Sequence, residues 1–212
     1  MPLQFKDTPD RLSATLANAI DSIEGDTVTL RRLLELVGEQ GLLLLCALLT
    51  IPFLLPVSIP GVSTVFGAAI ILISIGIVMN RLPWFPRRLL DREIEASKLV
   101  PVLNKGLQTV HRIDRVIRPR ISAFTEGAFV NRLNGLALCL GGVLLLFPLG
   151  LVPFSNTLPA LGILFMAAGI SQRDGIFVLL GYVMFVATII YFSVLAWLAF
   201  SAGRGISSLF GS

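Results

Sequence analysis

The chain has 212 residues, of which 55% are hydrophobic and only 14% charged, and it carries a formal net charge of +4. Ordinary soluble domains carry roughly 25% charged residues, and a soluble core of this length has no room for so much apolar surface. The composition, with a mean hydropathy of +0.85, therefore excludes a typical soluble domain and predicts an integral membrane protein.

The charged residues are unevenly distributed along the chain. Residues 1–40 hold four Lys/Arg and seven acidic residues, whereas residues 80–132 hold eleven Lys/Arg and five acidic residues. The basic stretch lies between apolar segments, so the enrichment of basic residues in cytoplasmic loops explains it better than nucleic-acid binding does. We therefore expect no nucleic-acid partner, and the acidic, amphipathic N-terminal segment predicts no cleavable signal peptide.

Residues 1–40 are predicted to form N-terminal amphipathic helices. A Thr-Pro-Asp start precedes a first helix over residues 9–23, in which leucine and isoleucine recur along one face. A second short helix is expected over about residues 29–38. Both helices either pack against the rest of the protein or lie in the membrane interface, and the sequence leaves these alternatives open.

Residues 41–80 are predicted to form the first membrane hairpin. Three prolines interrupt its apolar run: Pro52, Pro56 and Pro60. Each proline removes a backbone donor and disfavours helix at the residue before it, so we expect a turn over residues 52–60. The first arm, residues 41–55, is short for a hydrocarbon core of about 30 Å.

Residues 81–132 are predicted to form a basic amphipathic segment that is cytoplasmic or interfacial. It begins with aromatic residues between arginines, a composition that the headgroup boundary favours. Amphipathic helices are expected over about residues 87–99 and 100–117. No part of the segment is apolar for long enough to cross a membrane.

Residues 133–173 are predicted to form a second membrane hairpin with the plan of the first. Its apolar run is broken by Pro148, Pro153 and Pro159 and ends at an arginine, as the first run does. This correspondence predicts an internal repeat. The final segment, residues 174–201, contains an apolar run long enough to span a membrane alone with some tilt.

The predicted fold is all-α: a polytopic membrane protein with two similar proline-broken hydrophobic hairpins, a C-terminal transmembrane helix and amphipathic interfacial helices. If both hairpins return to their starting side, the N-terminus and residues 81–132 are cytoplasmic, and the tail with Arg204 lies on the far side. Alternatively, the short arms are re-entrant, and their turns must then be buried in protein or face water. Hydropathy leaves both topologies open.

Several short motifs occur in order along the chain: Ile51-Pro52-Phe53-Leu54-Leu55-Pro56, Ile59-Pro60-Gly61, Arg81-Leu82-Pro83-Trp84, Arg118-Pro119-Arg120, Thr157-Leu158-Pro159-Ala160-Leu161 and Gln172-Arg173-Asp174-Gly175. Together they resemble the signature of the ExoD family of bacterial membrane proteins, over about residues 25–200. The resemblance implies a multi-pass protein of the bacterial inner membrane that is associated with exopolysaccharide synthesis. It brings no catalytic residues and no transported substrate.

The two predicted hairpin turns are the first candidate site. Transporters form central sites from broken helices at corresponding places in two halves, and free helix N-termini there would favour an anion. The alternative is that these residues are ordinary turn residues. The candidate turn-site residues are Pro52, Pro56, Ser58, Pro60, Gly61, Ser63, Pro153, Ser155, Asn156, Thr157 and Pro159.

Arginines at the ends of the apolar segments are the second candidate site. They either extend toward the headgroups to keep their charge in water, or recognise a lipid phosphate or a lipid-linked glycan diphosphate. The candidate lipid- and anion-binding residues are Arg81, Arg87, Arg88, Arg118, Arg120 and Arg173.

The sequence predicts no enzyme, no metal site and no cofactor. Cys46 and Cys139 lie within apolar runs, and His111 has no cysteine or second histidine near it. No glycine spacing typical of nucleotide binding is present. Glycosyl transfer would require acidic residues beside a sugar-nucleotide site, whereas the acidic residues here are dispersed over two amphipathic segments.

We therefore expect a transporter-like or lipid-binding accessory component of exopolysaccharide production. The alternatives are a small transporter or lipid scramblase in envelope or ion homeostasis, and a membrane scaffold that docks a cytoplasmic synthase. Expected partners are anionic membrane lipids, exopolysaccharide-synthesis proteins and a second copy of the chain, since a homodimer would shield the turns.

Overall fold

The computed structural model describes residues 12–23, 25–54, 61–79, 91, 93–97, 100, 101, 103, 104, 107, 117, 119–147 and 152–210. Within them lie helices α1 (Leu12–Asp21), α2 (Leu30–Leu54), α3 (Val62–Val78), α4 (Ala128–Leu146), α5 (Thr157–Ser171) and α6 (Gly175–Phe210). Two short strands, β1 (Thr27–Thr29) and β2 (Glu93–Glu95), and a 3₁₀ turn at Ser122–Phe124 complete the described elements. The predicted all-α class is confirmed, with this two-stranded sheet as the exception.

Helix α2 joins the amphipathic N-terminal region to the first apolar segment. Gly38 interrupts it with φ 59° and ψ −145°, a conformation that only glycine adopts readily. The helix then continues through Pro52 to Leu54, so the prediction that the turn begins at Pro52 is wrong. The reason is that Pro52 lies in the last turn of the helix, where the loss of one backbone hydrogen bond disturbs little structure.

The apolar helices pack as antiparallel pairs. On α3 and α4, a Cβ added to Gly67 would lie 3.0 Å from the carbonyl oxygen of Gly142. Small residues thus allow the two backbones to approach closely, as they do in membrane helix pairs. On α5 and α6, a Cβ on Gly162 would lie 2.4 Å from the ring of Phe185.

Helix α2 packs mainly on α5. The two segments predicted as hairpins, residues 41–80 and 133–173, therefore contact each other. One apolar core runs through the bundle, and its fully buried members include Leu42, Ile70, Leu138 and Ile163. The internal repeat stays a prediction.

The two strands were not expected from the sequence. Thr27, Val28 and Thr29 pair antiparallel with Glu95, Ile94 and Glu93, so the predicted helix over residues 87–99 is wrong at residues 93–95. Such pairing between distant segments supplies backbone hydrogen bonds that local periodicity does not reveal. The ion pair between Arg31 and Asp91, with 3.0 Å between Nη2 and Oδ1, lies beside it.

Two of the described helices are long and apolar enough to cross a membrane, by length and composition. They span Ala128–Leu146 and Gly175–Ala202, whereas the apolar helices Gly38–Leu54, Val62–Val78 and Thr157–Ser171 are shorter. Together with the family resemblance, these helices indicate a membrane protein. The described positions between residues 100 and 107 are helical, as predicted.

Candidate functional site

The link between α5 and α6 brings together two arginines that lie 53 residues apart in sequence. The amide of Arg120 donates to the carbonyl of Arg173 (3.3 Å), and the amide of Gly175 donates to the carbonyl of Arg120 (2.7 Å). Arg120 and Asp174 thus form an isolated parallel bridge. We call Arg120, Ile121, Arg173, Asp174 and Gly175 the arginine junction.

The backbone of the arginine junction is closely fixed. Arg173 has φ 55° and Ile121 has φ 50°, left-handed values that residues other than glycine rarely adopt. A Cβ on Gly175 would lie only 2.4 Å from the carbonyl oxygen of Ile121. No larger residue therefore fits at this position without moving the 120–121 backbone.

Asp174 is the N-cap of α6 and is 1% exposed. Its Oδ1 accepts a hydrogen bond from the amide of Ile176 at 3.0 Å, which satisfies one of the free donors at the helix start. The carboxylate also faces the positive end of the helix dipole. The role of Asp174 is therefore to fix the direction in which α6 leaves the junction.

A partly buried hydrogen-bond network supports the same end of the bundle. Asn134 on α4 donates through Nδ2 to the carbonyl of Phe124 (2.9 Å). Its Oδ1 accepts from the hydroxyl of Tyr182 on α6 (2.9 Å). Both polar ends of the Asn134 amide are therefore satisfied. These hydrogen bonds hold the 3₁₀ turn, α4 and α6 in place relative to one another.

The junction pairs the backbones of two exposed arginines, Arg120 and Arg173. Guanidinium groups bind phosphate in a bidentate manner, and neighbouring ones can share a single phosphate or diphosphate. The arrangement is suited to binding a multiply charged anion. It holds no nucleophile with an adjacent base, and the described residues contain no group of three or more potential metal ligands.

Of the predicted arginine site, Arg120 and Arg173 are therefore brought together. The other four candidates, Arg81, Arg87, Arg88 and Arg118, lie outside the described residues.

The described parts of the predicted turn site lie at the opposite end of the bundle. Gly67 in the second turn of α3 lies against Leu146 at the end of α4, so the start of α3 and the end of α4 lie at this end. Gly61 precedes α3 with φ 85°, and Ser63 is buried in the first turn of that helix. Pro56, Ser58 and Pro60 lie outside the described residues.

The second turn is described from Val152 onward. Pro153 is exposed, Ser155 is buried, and Asn156 caps α5 without a side-chain hydrogen bond to its amides. Helix α5 begins at Thr157, so Pro159 lies in its first turn. A proline in the first helical turn lacks only a donor that would be free anyway.

The turn end holds polar atoms but no described charged side chain. Oδ1 of Asn156 is buried and has no hydrogen-bond partner among the residues that the structure describes. The side chain of Pro52 belongs to α2 and not to the turn. The geometry of this end therefore offers less for anion binding than the arginine junction does.

Sequence reasoning overlooked Asn134, Tyr182 and Tyr191 as structural residues. Tyr191 donates from its hydroxyl to the carbonyl of Pro153 at 2.8 Å. A polar residue within an apolar helix is the signal that could have identified all three, because such residues need a partner inside the protein.

Comparison with known proteins gave one family and two curated relatives. The family described as "Exopolysaccharide synthesis, ExoD" matches residues 12–194. The chain is 59% identical over 212 residues to Protein ExoD of Rhizobium meliloti (strain 1021), covering 100% of this chain and 88% of that protein. It is 28% identical over 153 residues to an uncharacterized protein of Synechocystis sp., covering 72% of this chain and 71% of that protein. No solved structure matches.

Proposed function

The chain belongs to the ExoD family, and on that basis we propose that it is a non-enzymatic inner-membrane component of exopolysaccharide production that binds phosphate-bearing lipid headgroups at the arginine junction. The observation that carries the proposal is the backbone pairing of Arg120 with Arg173. Lipid-linked sugar carriers and anionic phospholipids share the phosphate group that such a pair recognises.

The position of the junction supports a headgroup ligand. Arg120 and Arg173 lie at the start of α6, whose apolar stretch begins at Gly175. Charged residues at the end of an apolar helix lie at the level of the headgroups. The left-handed backbone of Arg173 and the buried cap at Asp174 hold the pair in place before any ligand binds, which lowers the entropic cost of binding.

The proposed location has the arginine junction on the cytoplasmic side of the inner membrane. The excess of basic residues over 81–132 supports this orientation by the positive-inside rule. Residues 1–40 then lie on the same side, and both hairpins enter the membrane from it. The C-terminal end of α6 lies on the far side.

Binding of individual lipids, measured by native mass spectrometry of the purified protein, tests the proposal. We would compare a polyprenyl diphosphate, an anionic phospholipid and a zwitterionic phosphatidylcholine. Replacing both arginines, Arg120→Gln with Arg173→Gln, should weaken binding of the first two at least about a hundredfold, because two charge-assisted hydrogen bonds of about 1.5–3 kcal/mol each are lost. Phosphatidylcholine also carries a phosphate, but its choline group balances the negative charge, so its binding should barely change.

The matched control is Arg132→Gln, which removes an exposed arginine from the second turn of α4. This variant should bind the anionic lipids as the unmodified protein does. Equal losses in the control and the double variant would show that net charge, and not the junction, determines binding. Preference for the diphosphate over the phospholipid would identify a lipid-linked carrier as the ligand.

The other expected roles stay predictions. Substrate flux in proteoliposomes would support a transporter or scramblase, and co-purification of a synthase without flux would support a scaffold. The expected homodimer would be contradicted by a monomeric mass in lipid nanodiscs.

A further inference from the structure

Helix α6 is much longer than the helices that pack beside it. It has 36 residues, whereas α3 has 17 and α5 has 15. The turn end of the bundle meets α6 at two consecutive aromatic residues. Tyr191 bonds the carbonyl of Pro153, and the ring of Phe192 lies 5.9 Å from that of Phe147. The helix then continues past the turns.

The apolar stretch of α6 also continues past the turns. This stretch, Gly175–Ala202, has 28 residues, about 42 Å of helix, which fits a hydrocarbon core of about 30 Å when the helix is tilted by about 45°. Phe192 is the eighteenth of these residues, so the turn end lies about two-thirds of the way along the stretch whatever the tilt of the helix. At about 1.5 Å per residue, Ala202 lies roughly 15 Å beyond the turns.

Beyond the turns, most of the described side chains of α6 are exposed. Every residue from 196 to 202 is exposed, and Trp197 is 66% exposed. A helix that is apolar on all sides requires an apolar surrounding, which water cannot provide. If the turns lay at the far membrane surface, this segment would stand in water. If residues 193–202 lie among acyl chains instead, the turns lie below the far membrane surface.

Helices α3 and α5 are also too short to cross, and α4, which is long enough by length and composition, ends beside the start of α3. Helices of 15 and 17 residues extend about 22 and 26 Å, less than the hydrocarbon thickness of about 30 Å. Gly67 lies against Gly142 and Leu146, so the first hairpin ends at the same depth as the second. Both turns therefore stop short of the far surface by a similar distance.

Four carbonyls of the second turn accept hydrogen bonds from within the protein. The carbonyl of Val152 accepts from the hydroxyl of Ser155 at 2.9 Å. The carbonyls of Phe154 and Asn156 accept amides of α5, at 3.1 Å each. The carbonyl of Pro153 accepts the hydroxyl of Tyr191, 38 residues away, at 2.8 Å. A turn in water needs no such donor, whereas a turn at membrane depth does.

We propose that both hairpins are re-entrant, with their turns ending in the acyl chains of the distal leaflet, so that α6 alone crosses the membrane. Its segment over residues 193–202 contacts the acyl chains of that leaflet, and Tyr191 is the internal donor that allows the second turn to lie there. This inference depends on the membrane location proposed above but not on lipid binding at the arginine junction.

Tryptophan depth measurements in liposomes test the inference. Trp84→Phe leaves Trp197 as the single tryptophan. A second variant carries Trp84→Phe, Trp197→Phe and Phe154→Trp, which places an aromatic probe at a turn residue that is 58% exposed. Each is titrated with aqueous iodide and with phospholipids that carry a spin label at a shallow or a deep acyl position.

We expect iodide to quench neither probe. The deep label should quench Trp at residue 154 more strongly, and the shallow label should quench Trp197 more strongly. Iodide quenching of Trp197, or stronger quenching of residue 154 by the shallow label, would overturn the inference. Quenching of Trp197 by neither iodide nor lipid would show that protein covers the segment, which also overturns it.

Flotation of the same liposomes separates this failure from that of the membrane location. Protein that floats with the lipid while iodide reaches Trp197 contradicts only the re-entrant topology. Protein that does not float contradicts the membrane location itself.

Discussion

The hydrogen bond from Tyr191 to Pro153 gives the sharpest prediction, because its energetic value depends on what surrounds the turn. Tyr191→Phe removes only the hydroxyl that donates to the Pro153 carbonyl at 2.8 Å. In water, solvent would replace the lost donor, and the free energy of unfolding would change by about 0.5 kcal/mol or less. In acyl chains nothing replaces it, and an unsatisfied carbonyl costs about 1–3 kcal/mol.

We therefore expect Tyr191→Phe to lower the free energy of unfolding by about 2 kcal/mol, roughly a thirtyfold change in the unfolding equilibrium constant. The assay is reversible unfolding by a denaturing detergent, with the protein initially in lipid bicelles. Circular dichroism should confirm that the variant keeps the helical content of the unmodified protein.

Two control variants bracket the expected result. Ser193→Ala removes a hydroxyl that bonds the Ile189 carbonyl within α6 and should change stability little. Tyr182→Phe removes the partly buried bond to Asn134 and should destabilise the protein whatever the depth of the turn. A Tyr191→Phe variant as stable as Ser193→Ala would refute the reasoning that the turn lies away from water.

Two further predictions concern the arginine junction. Asp174→Ala should lower the free energy of unfolding by about 1 kcal/mol through loss of the bond to Ile176. Asp174→Asn should keep most of that stability because asparagine also caps helices. Equal losses of stability for the two variants in chemical denaturation would contradict the capping role. Gly175→Ala should destabilise by about 1–3 kcal/mol because its Cβ would meet the carbonyl oxygen of Ile121 at 2.4 Å. The same variant should also weaken anionic-lipid binding by displacing Arg120, and unchanged lipid binding would argue against the junction as the site.

Local sequence patterns predicted most of the helices well. The apolar run over residues 61–79 corresponds to α3 at Val62–Val78, and the final run begins at Gly175, where α6 begins. Hydropathy and helix-breaking residues are properties of consecutive residues, so they can be interpreted without knowledge of the fold. The error at Pro52 is of the same local kind, because a proline near a helix end is compatible with either a break or a last turn.

Contacts between distant segments were not predicted from sequence. The pairing of β1 with β2 joins residues 27–29 to residues 93–95, within a segment whose amphipathic pattern had indicated helix. The family motifs included both Arg118-Pro119-Arg120 and Gln172-Arg173-Asp174-Gly175, but their order along the chain does not show that the two motifs meet. That contact requires the packing of α4, α5 and α6 to be known.

The sequence by itself determined the class of this protein, its apolar segments and its family, because each depends on residue types over short stretches. Only the tertiary structure decided which of the arginines meet, which buried polar residues support them and how far α6 extends past the hairpin turns. These features depend on the relative depth and register of packed helices. Depth and register are set by contacts such as Gly67 with Gly142 and Tyr191 with Pro153, whose partners lie tens of residues apart.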